Sequence, residues 1–232
     1  MSNPPASIKR KQSNIKLVDD SPLLSEAREK TIDQGRQASP PRSKAEQRRR
    51  KIFRSLHDCI IENGYSKTTL AHIAKGADMS PSHLLYYFPG KDRILEEYFA
   101  DVATWFLKRV SDISTESPDE QIRDLTALWF GEGSAAYDDI GFMLECFGEA
   151  VHDGEMRLTK SNFDRACKSY LMSLFPADSL GGAITASDAA EIAYSLLIGL
   201  RNSVYFDRSK STADAARCFR EAIETLRGSW SA

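Results

Sequence analysis

The segment from Tyr65 to Ile94, YSKTTLAHIAKGADMSPSHLLYYFPGKDRI, constrains the fold more than any other part of the chain. It holds two short apolar-periodic stretches separated by Gly76-Ala77-Asp78-Met79. Thr68 and Thr69 open the first, and either hydroxyl can accept a hydrogen bond from an unpaired first-turn N–H. Leu70, Ile73 and Ala74 supply its buried side. Ser80 caps the second, with Pro81 at the first helical position, where a missing N–H costs nothing. Leu84, Leu85 and Phe88 can face a core, and Pro89-Gly90 breaks the chain. Two short helices around a tight turn make a helix-turn-helix, a layout that lays its second helix in the major groove of duplex DNA.

Helices are expected on both sides of this unit. Ser43 and Glu46 form a capping box ahead of a stripe through Ala45, Ile52, Phe53, Leu56, Ile60 and Ile61, which Gly64 ends. A long helix follows from about Lys91 to Ile113. Ser117-Pro118-Asp119-Glu120 combines a capping Ser, a first-turn Pro and a reciprocal Glu, a strong start signal. Apolar stripes continue through Trp129, Phe142, Phe147, Phe163 and Leu171; a Gly/Pro/Ser loop is expected over 176–186 and two closing helices over 188–206 and 212–228. No alternating strand pattern appears, so the fold class is all-α.

Residues 1–43 are rich in Ser, Pro and charge and nearly lack aromatics, a composition that reads as a flexible tail. The expected organisation is a tail over 1–43, a three-helix DNA-binding unit over 44–92 and a second helical unit over 93–232.

The net charge of −2 conceals an asymmetry. Residues 1–95 hold 18 Lys+Arg against 10 Asp+Glu, and residues 96–232 hold 13 against 23. A basic front half suits a polyanionic partner, although the tail contributes to the excess. Cys59, Cys146, Cys167 and Cys218 form no CxxC pair and read as small buried hydrophobes in a reducing compartment. The longest apolar run, IAYSLLIGL at 192–200, is too short to span a membrane, and the start MSNPPASIKRKQ lacks an apolar signal core. A cytoplasmic location follows as an expectation. His152, Asp153 and Glu155 have no second histidine nearby, so no metal is expected. Gly131-Glu132-Gly133 lacks the Lys-Ser/Thr of a phosphate loop. No nucleophile–base constellation stands out; neither an enzyme nor a cofactor is expected.

With those residues in view, the stretch 48–95 resembles the DNA-binding domain of the TetR family of transcriptional regulators. The features that carry the resemblance are an arginine-bearing first helix, GYSKTTLAHIAKGA, and MSPSHLLYYFPGKDRIL with Lys91 three residues after the aromatic Phe88. It covers about a fifth of the chain; beyond it the likeness is one of length and helicity. The chain departs from the family pattern at Asp78, where Gly is usual, and at Leu85, where Tyr is common. Asp is among the few residues that tolerate the left-handed backbone such a turn needs.

Ser82 and His83, outward on the second short helix, are the candidates for base readout, since both can donate or accept at a purine edge. Pro81 can touch a thymine methyl. Tyr86 and Tyr87 suit phosphate oxygens, with one of the two expected to pack inward. Thr68, Thr69 and Lys91 complete the phosphate-contacting set, placed near helix N-termini. The resemblance implies a homodimer on a pseudo-palindromic operator, because one two-turn helix buries little DNA surface. Broad stripes over Ala189–Val204 and Ala215–Leu226 suit the dimer helices. The resemblance also implies a small hydrophobic effector, and Trp105, Trp129 and Phe147 are its candidate contacts. The reading is thus a repressor released by that effector; the alternative is a ligand-independent architectural or partner-recruiting DNA-binding protein with a filled interior.

Overall fold

The computed structural model describes residues 43–131, 133–175, 184–207 and 209–228. Most of the expected tail (1–42) and of the expected loop (176–183) lies outside the described residues. The described residues form helices α1 (Lys44–Asn63), α2 (Leu70–Gly76), α3 (Pro81–Tyr87), α4 (Lys91–Ile113), α5 (Pro118–Phe130), α6 (Gly133–Ala150), α7 (Gly154–Ser173), α8 (Ala186–Phe206) and α9 (Thr212–Gly228), with no strand among them.

Local chemistry sets most boundaries. At the start of α1, Ser43 Oγ accepts from Glu46 N and the Glu46 carboxylate accepts from Ser43 N. Ser117 and Glu120 repeat the capping box at α5, and Thr185 with Asp188 does so at α8. Gly64 ends α1 at φ 78°, and Gly131 ends α5 at φ 57°, both in the positive-φ region that favours glycine. Asp153 is drawn into the cap of α7, accepting from Met156 N at 2.8 Å.

Burial divides the apolar side chains into two clusters. One joins α1, α2 and α3 to the first turns of α4 and to one face of α6, through Ile52, Leu56, Leu84, Leu95, Tyr98 and Phe142. The other fills the space among α4, α5, α7, α8 and α9, through Phe106, Leu125, Phe130, Phe163, Leu197 and Phe219. α4 contributes to both. Its Ile94, Leu95 and Tyr98 pack toward the short helices, while Ala103, Phe106 and Val110 serve the second cluster.

Several expectations are corrected. Ala45, in the first turn of α1, is exposed, and Ile61, in its last turn, is half-buried. Cys146 and Cys167 are buried, but Cys59 is half-buried and Cys218 is exposed on the outer side of α9. On α8, Ala189, Ala193, Leu197 and Val204 are buried, whereas Ile192 is 45% exposed and Phe206 73% exposed. No described helix is long and apolar enough to cross a membrane.

Candidate DNA interface and effector cavity

α2 and α3 are each fixed by a hydroxyl cap. Thr69 Oγ1 accepts from His72 N, and Ser80 Oγ accepts from His83 N, both at 3.2 Å. Between them Asp78 takes the left-handed conformation at φ 58°. Met79 N donates to Ala74 O at 2.9 Å and Asp78 N to Lys75 O at 3.2 Å, the paired bonds of a Schellman motif. The sharp exit from α2 thus follows from one residue that accepts positive φ without being glycine. α2 also crosses α1 closely: Ser55 Oγ donates to Ile73 O at 2.8 Å, and a Cβ at Gly76 would sit 2.3 Å from that same hydroxyl.

The orientation of α3 sorts its residues. Leu84 and Phe88 are buried in the core. Pro81, Ser82 and His83 are exposed, and Tyr86 is 83% exposed one turn along the same face. Leu85 is also exposed, so it does not join the core. Tyr87 is the tyrosine that packs inward: it is half-buried, its hydroxyl accepts from Arg48 at 3.0 Å, and its ring lies 5.5 Å from that of Tyr86. Arg49, by contrast, pairs with Glu97 and Asp101 and covers the Phe53 ring at 4.8 Å, tying α1 to α4.

Two members of the expected phosphate set are placed differently. Thr68 is 1% exposed, and its hydroxyl donates to Gly64 O at 2.9 Å. It seals the loop before α2 and leaves the outward position to Thr69. Lys91 is half-buried and turned toward that loop, donating to Tyr65 O at 3.0 Å and Thr68 O at 3.1 Å above the Tyr65 ring. Two of its three N–H donors are used inside the protein, leaving one for an outside oxygen. The same loop is held by Tyr65 N donating to Glu145 at 3.1 Å and by the Tyr65 hydroxyl on Asp92. The sequence singled out neither Tyr65 nor its pairing with Glu145. Their partnership spans 80 positions, and no local pattern announces it.

A cavity of about 40 Å³ lies on the other side of α4. Trp105 and Trp129 line it together with Phe99, Phe106, Met143 and Phe163. Phe147 lies outside the lining, one helical turn beyond Met143, against Phe99 and beneath Lys160 Nζ at 4.4 Å. The charged members of the wall are Asp139 and Arg201. Arg201 donates to the carbonyl of Trp129 and its guanidinium lies 5.3 Å from the Trp129 ring centre. Burial lowers the Arg201 pKa to about 10, and the Asp139 carboxylate opposes that shift. Both were legible in principle. Arg201 falls on the buried register of Ala193, Leu197 and Val204, and Asp139 on that of Phe142 and Cys146.

No described trio of His, Cys, Asp or Glu could hold a metal ion. Burial pushes the thiols of Cys146 and Cys167 up, which makes neither a ready nucleophile.

The geometry defines an all-α helix-turn-helix protein whose second short helix, α3, exposes one polar face and whose second helical body holds a small, mostly apolar cavity. Residues 52–98 match the family model described as bacterial regulatory proteins, tetR family. It is 34% identical over 79 residues to a Bacillus subtilis (strain 168) protein described as probable HTH-type transcriptional regulator YttP. That match takes in 32% of this chain and only 38% of the relative's length. Among solved structures, a transcriptional regulator from Rhodococcus sp. Rha1 superposes with TM-score 0.67 at 13% identity, covering 77% of this chain and 95% of that one. A TetR transcription regulator from Haloarcula marismortui gives 0.66 at 17%, covering 80% and 98%. A Saccharomonospora viridis protein described as a transcriptional regulator, solved in complex with choline, gives 0.65 at 19%, covering 77% and 96%. At these identities the structural likeness concerns the fold.

Proposed function

We propose that the chain is a dimeric, sequence-specific DNA-binding transcriptional regulator, a repressor that a small organic effector releases from its operator. The observation that carries this reading is the outward face of α3. Ser82, His83 and Tyr86 project from a capped helix whose other side is locked into the core by Leu84 and Phe88. Such a rigid, polar face can reach base edges, while Thr69, Tyr87 and the remaining donor of Lys91 hold the phosphates beside it. Pro81 offers an apolar edge to a thymine methyl.

Dimerisation is assigned to α8. Ile192 and Phe206 are exposed, and Leu196 and Leu200 half-buried, on one side of a helix whose opposite side is fully packed. A second copy would cover that side and set two α3 helices about one DNA turn apart. The cavity supports a ligand-responsive regulator over a ligand-independent architectural one, which needs no such space beside Trp105 and Trp129. The choline held by the S. viridis neighbour is in keeping with a small organic ligand in a fold of this kind.

α4 links the two activities. Tyr98 packs on the short-helix side, and Phe99 and Val102, within the next turn, line the cavity. A ligand that favours one tilt of α4 biases the spacing of the α3 helices. Effector and DNA then weaken each other equally, by linkage. The test is a mobility-shift titration on an operator found by binding-site selection, with a library of small apolar compounds added. Operator binding with no release by any compound would favour the ligand-independent reading; loss of binding in a Leu196→Glu/Leu200→Glu double variant that is monomeric would support the dimer.

A further inference from the structure

Given the effector reading above, on which this step rests, we infer that the cavity selects an uncharged, mostly apolar molecule bearing one hydroxyl or carboxamide. The lining supplies a wide aromatic and aliphatic surface, including Phe106, Trp129 and Phe163, whose rings meet edge to face at 4.4 to 5.9 Å. Against this surface stand one carboxylate and one guanidinium, Asp139 and Arg201, and the other lining residues carry no charge.

The pair decides the class of ligand. Arg201 is anchored from two directions, by the Trp129 carbonyl and by the Trp129 ring. That carbonyl belongs to the last turn of α5, where backbone acceptors have no partner within the helix. A cationic ligand that approached Asp139 would meet Arg201, held in place and unable to swing away. An anionic ligand that approached Arg201 would meet Asp139, which is 5% exposed. Either ion would leave bulk water for a site of zero net charge, so its desolvation would go without compensation. A neutral group escapes this cost. A hydroxyl or carboxamide can donate to the carboxylate and accept from the guanidinium at once, while its hydrocarbon part fills the aromatic end. Rejection of ions here is a case of specificity through an unfavourable alternative.

The position of the pair also matters to the response. Arg201 lies on α8, whose other side carries Ile192, Leu196 and Leu200, and Asp139 lies on α6, three residues before the Phe142 that packs against α1. A head group held between them touches the two helices that face the second copy and the DNA-binding helices.

The experiment uses three probes of one skeleton, 1-pentanol, pentylammonium and pentanoate, titrated into the full-length dimer. Binding is followed by tryptophan fluorescence and by the shift in melting temperature. The expected result is saturable binding of pentanol, at least tenfold tighter than either ion. Asp139→Asn should move the preference toward pentanoate, and Arg201→Gln, which keeps a donor for the Trp129 carbonyl, toward pentylammonium. A wild-type preference for either ion would overturn the inference while leaving an effector site in place. So would an unchanged order of the three probes in a folded Asp139→Asn variant. If none of the three binds while the operator is still bound, the effector reading falls together with this one.

Discussion

The His57 ring stacks on Phe142 with centroids 4.7 Å apart and planes 30° apart, joining α1 directly to α6. His57 is 3% exposed, its Nδ1 lies 3.3 Å from the Tyr98 hydroxyl, and Tyr98 in turn packs 5.0 Å from Phe142. Three helices thus meet at one aromatic contact, with a titratable ring at its centre.

Burial lowers the His57 pKa to about 4, because the charged imidazolium would lose its water. The unfolded chain takes up this proton near pH 6.5, the folded one only near pH 4. Stability from the neutral ring is therefore fully present above pH 6.5 and declines as the pH falls toward 4. The loss over that window is about 3 kcal/mol. Urea melts of the wild type and a His57→Gln variant at pH 7.5, 6, 5 and 4 check this. The two curves should converge as the pH falls, since only the wild type suffers this loss; parallel curves would show that the ring titrates normally.

Thr68 and Thr69 are adjacent, chemically identical and differently used. Thr68→Val preserves shape but strands the Gly64 carbonyl, and should cost about 1–3 kcal/mol of stability. DNA affinity of the folded fraction should stay within twofold. Thr69→Ala removes the α2 cap, at about 1 kcal/mol, and also removes an exposed hydroxyl from the DNA side. Denaturant midpoints and operator affinities of the two variants should rank oppositely.

Gly76 sits where α2 crosses α1. A Cβ there would come within 2.3 Å of Ser55 Oγ and 3.2 Å of Ser55 Cβ. Gly76→Ala must turn the Ser55 hydroxyl away from Ile73 O or push the helices apart, at about 1–3 kcal/mol. Gly76→Ala combined with Ser55→Ala should recover part of that loss in a double-mutant cycle. A Gly76→Ala variant as stable as the wild type would mean that the crossing is looser than it stands here.

What could be read from sequence and what could not divide along range. The caps at Ser43, Thr69, Ser80 and Ser117, and the left-handed turn at Asp78, depend on neighbours within a few residues, so the spelling of the chain contains them. Which of Thr68 and Thr69 turns inward depends on how the loop meets α4, and sequence left both as candidate caps. Lys91 stood out as a cation near a helix start, but its two carbonyl partners lie 23 and 26 positions away. Phe147 shared a register with Met143, and only the packing of α6 against α4 and α7 decides that the cavity ends between them. Arg201 and Asp139 carried a legible signal, a charge on a buried register; among so many apolar neighbours they went unread.

The division of labour on α3 and at Lys91 yields the last test. His83 is exposed, and its backbone N–H, not its ring, serves the Ser80 cap. His83→Ala should therefore leave stability nearly unchanged while relaxing preference at one or two base pairs, each worth about 1–3 kcal/mol. Lys91→Met acts differently on two counts. It strips both loop carbonyls of a charge-assisted bond, so the free protein should melt earlier, by about 1–3 kcal/mol of stability. It also removes one cation beside the phosphates, so affinity should fall alike on every sequence and the salt slope should drop by about 1. Binding-site selection with His83→Ala and salt titrations with Lys91→Met separate the roles. An unaltered motif in the first would take base readout away from His83. An unaltered slope together with an earlier melt in the second would confine Lys91 to holding the Tyr65–Thr68 loop.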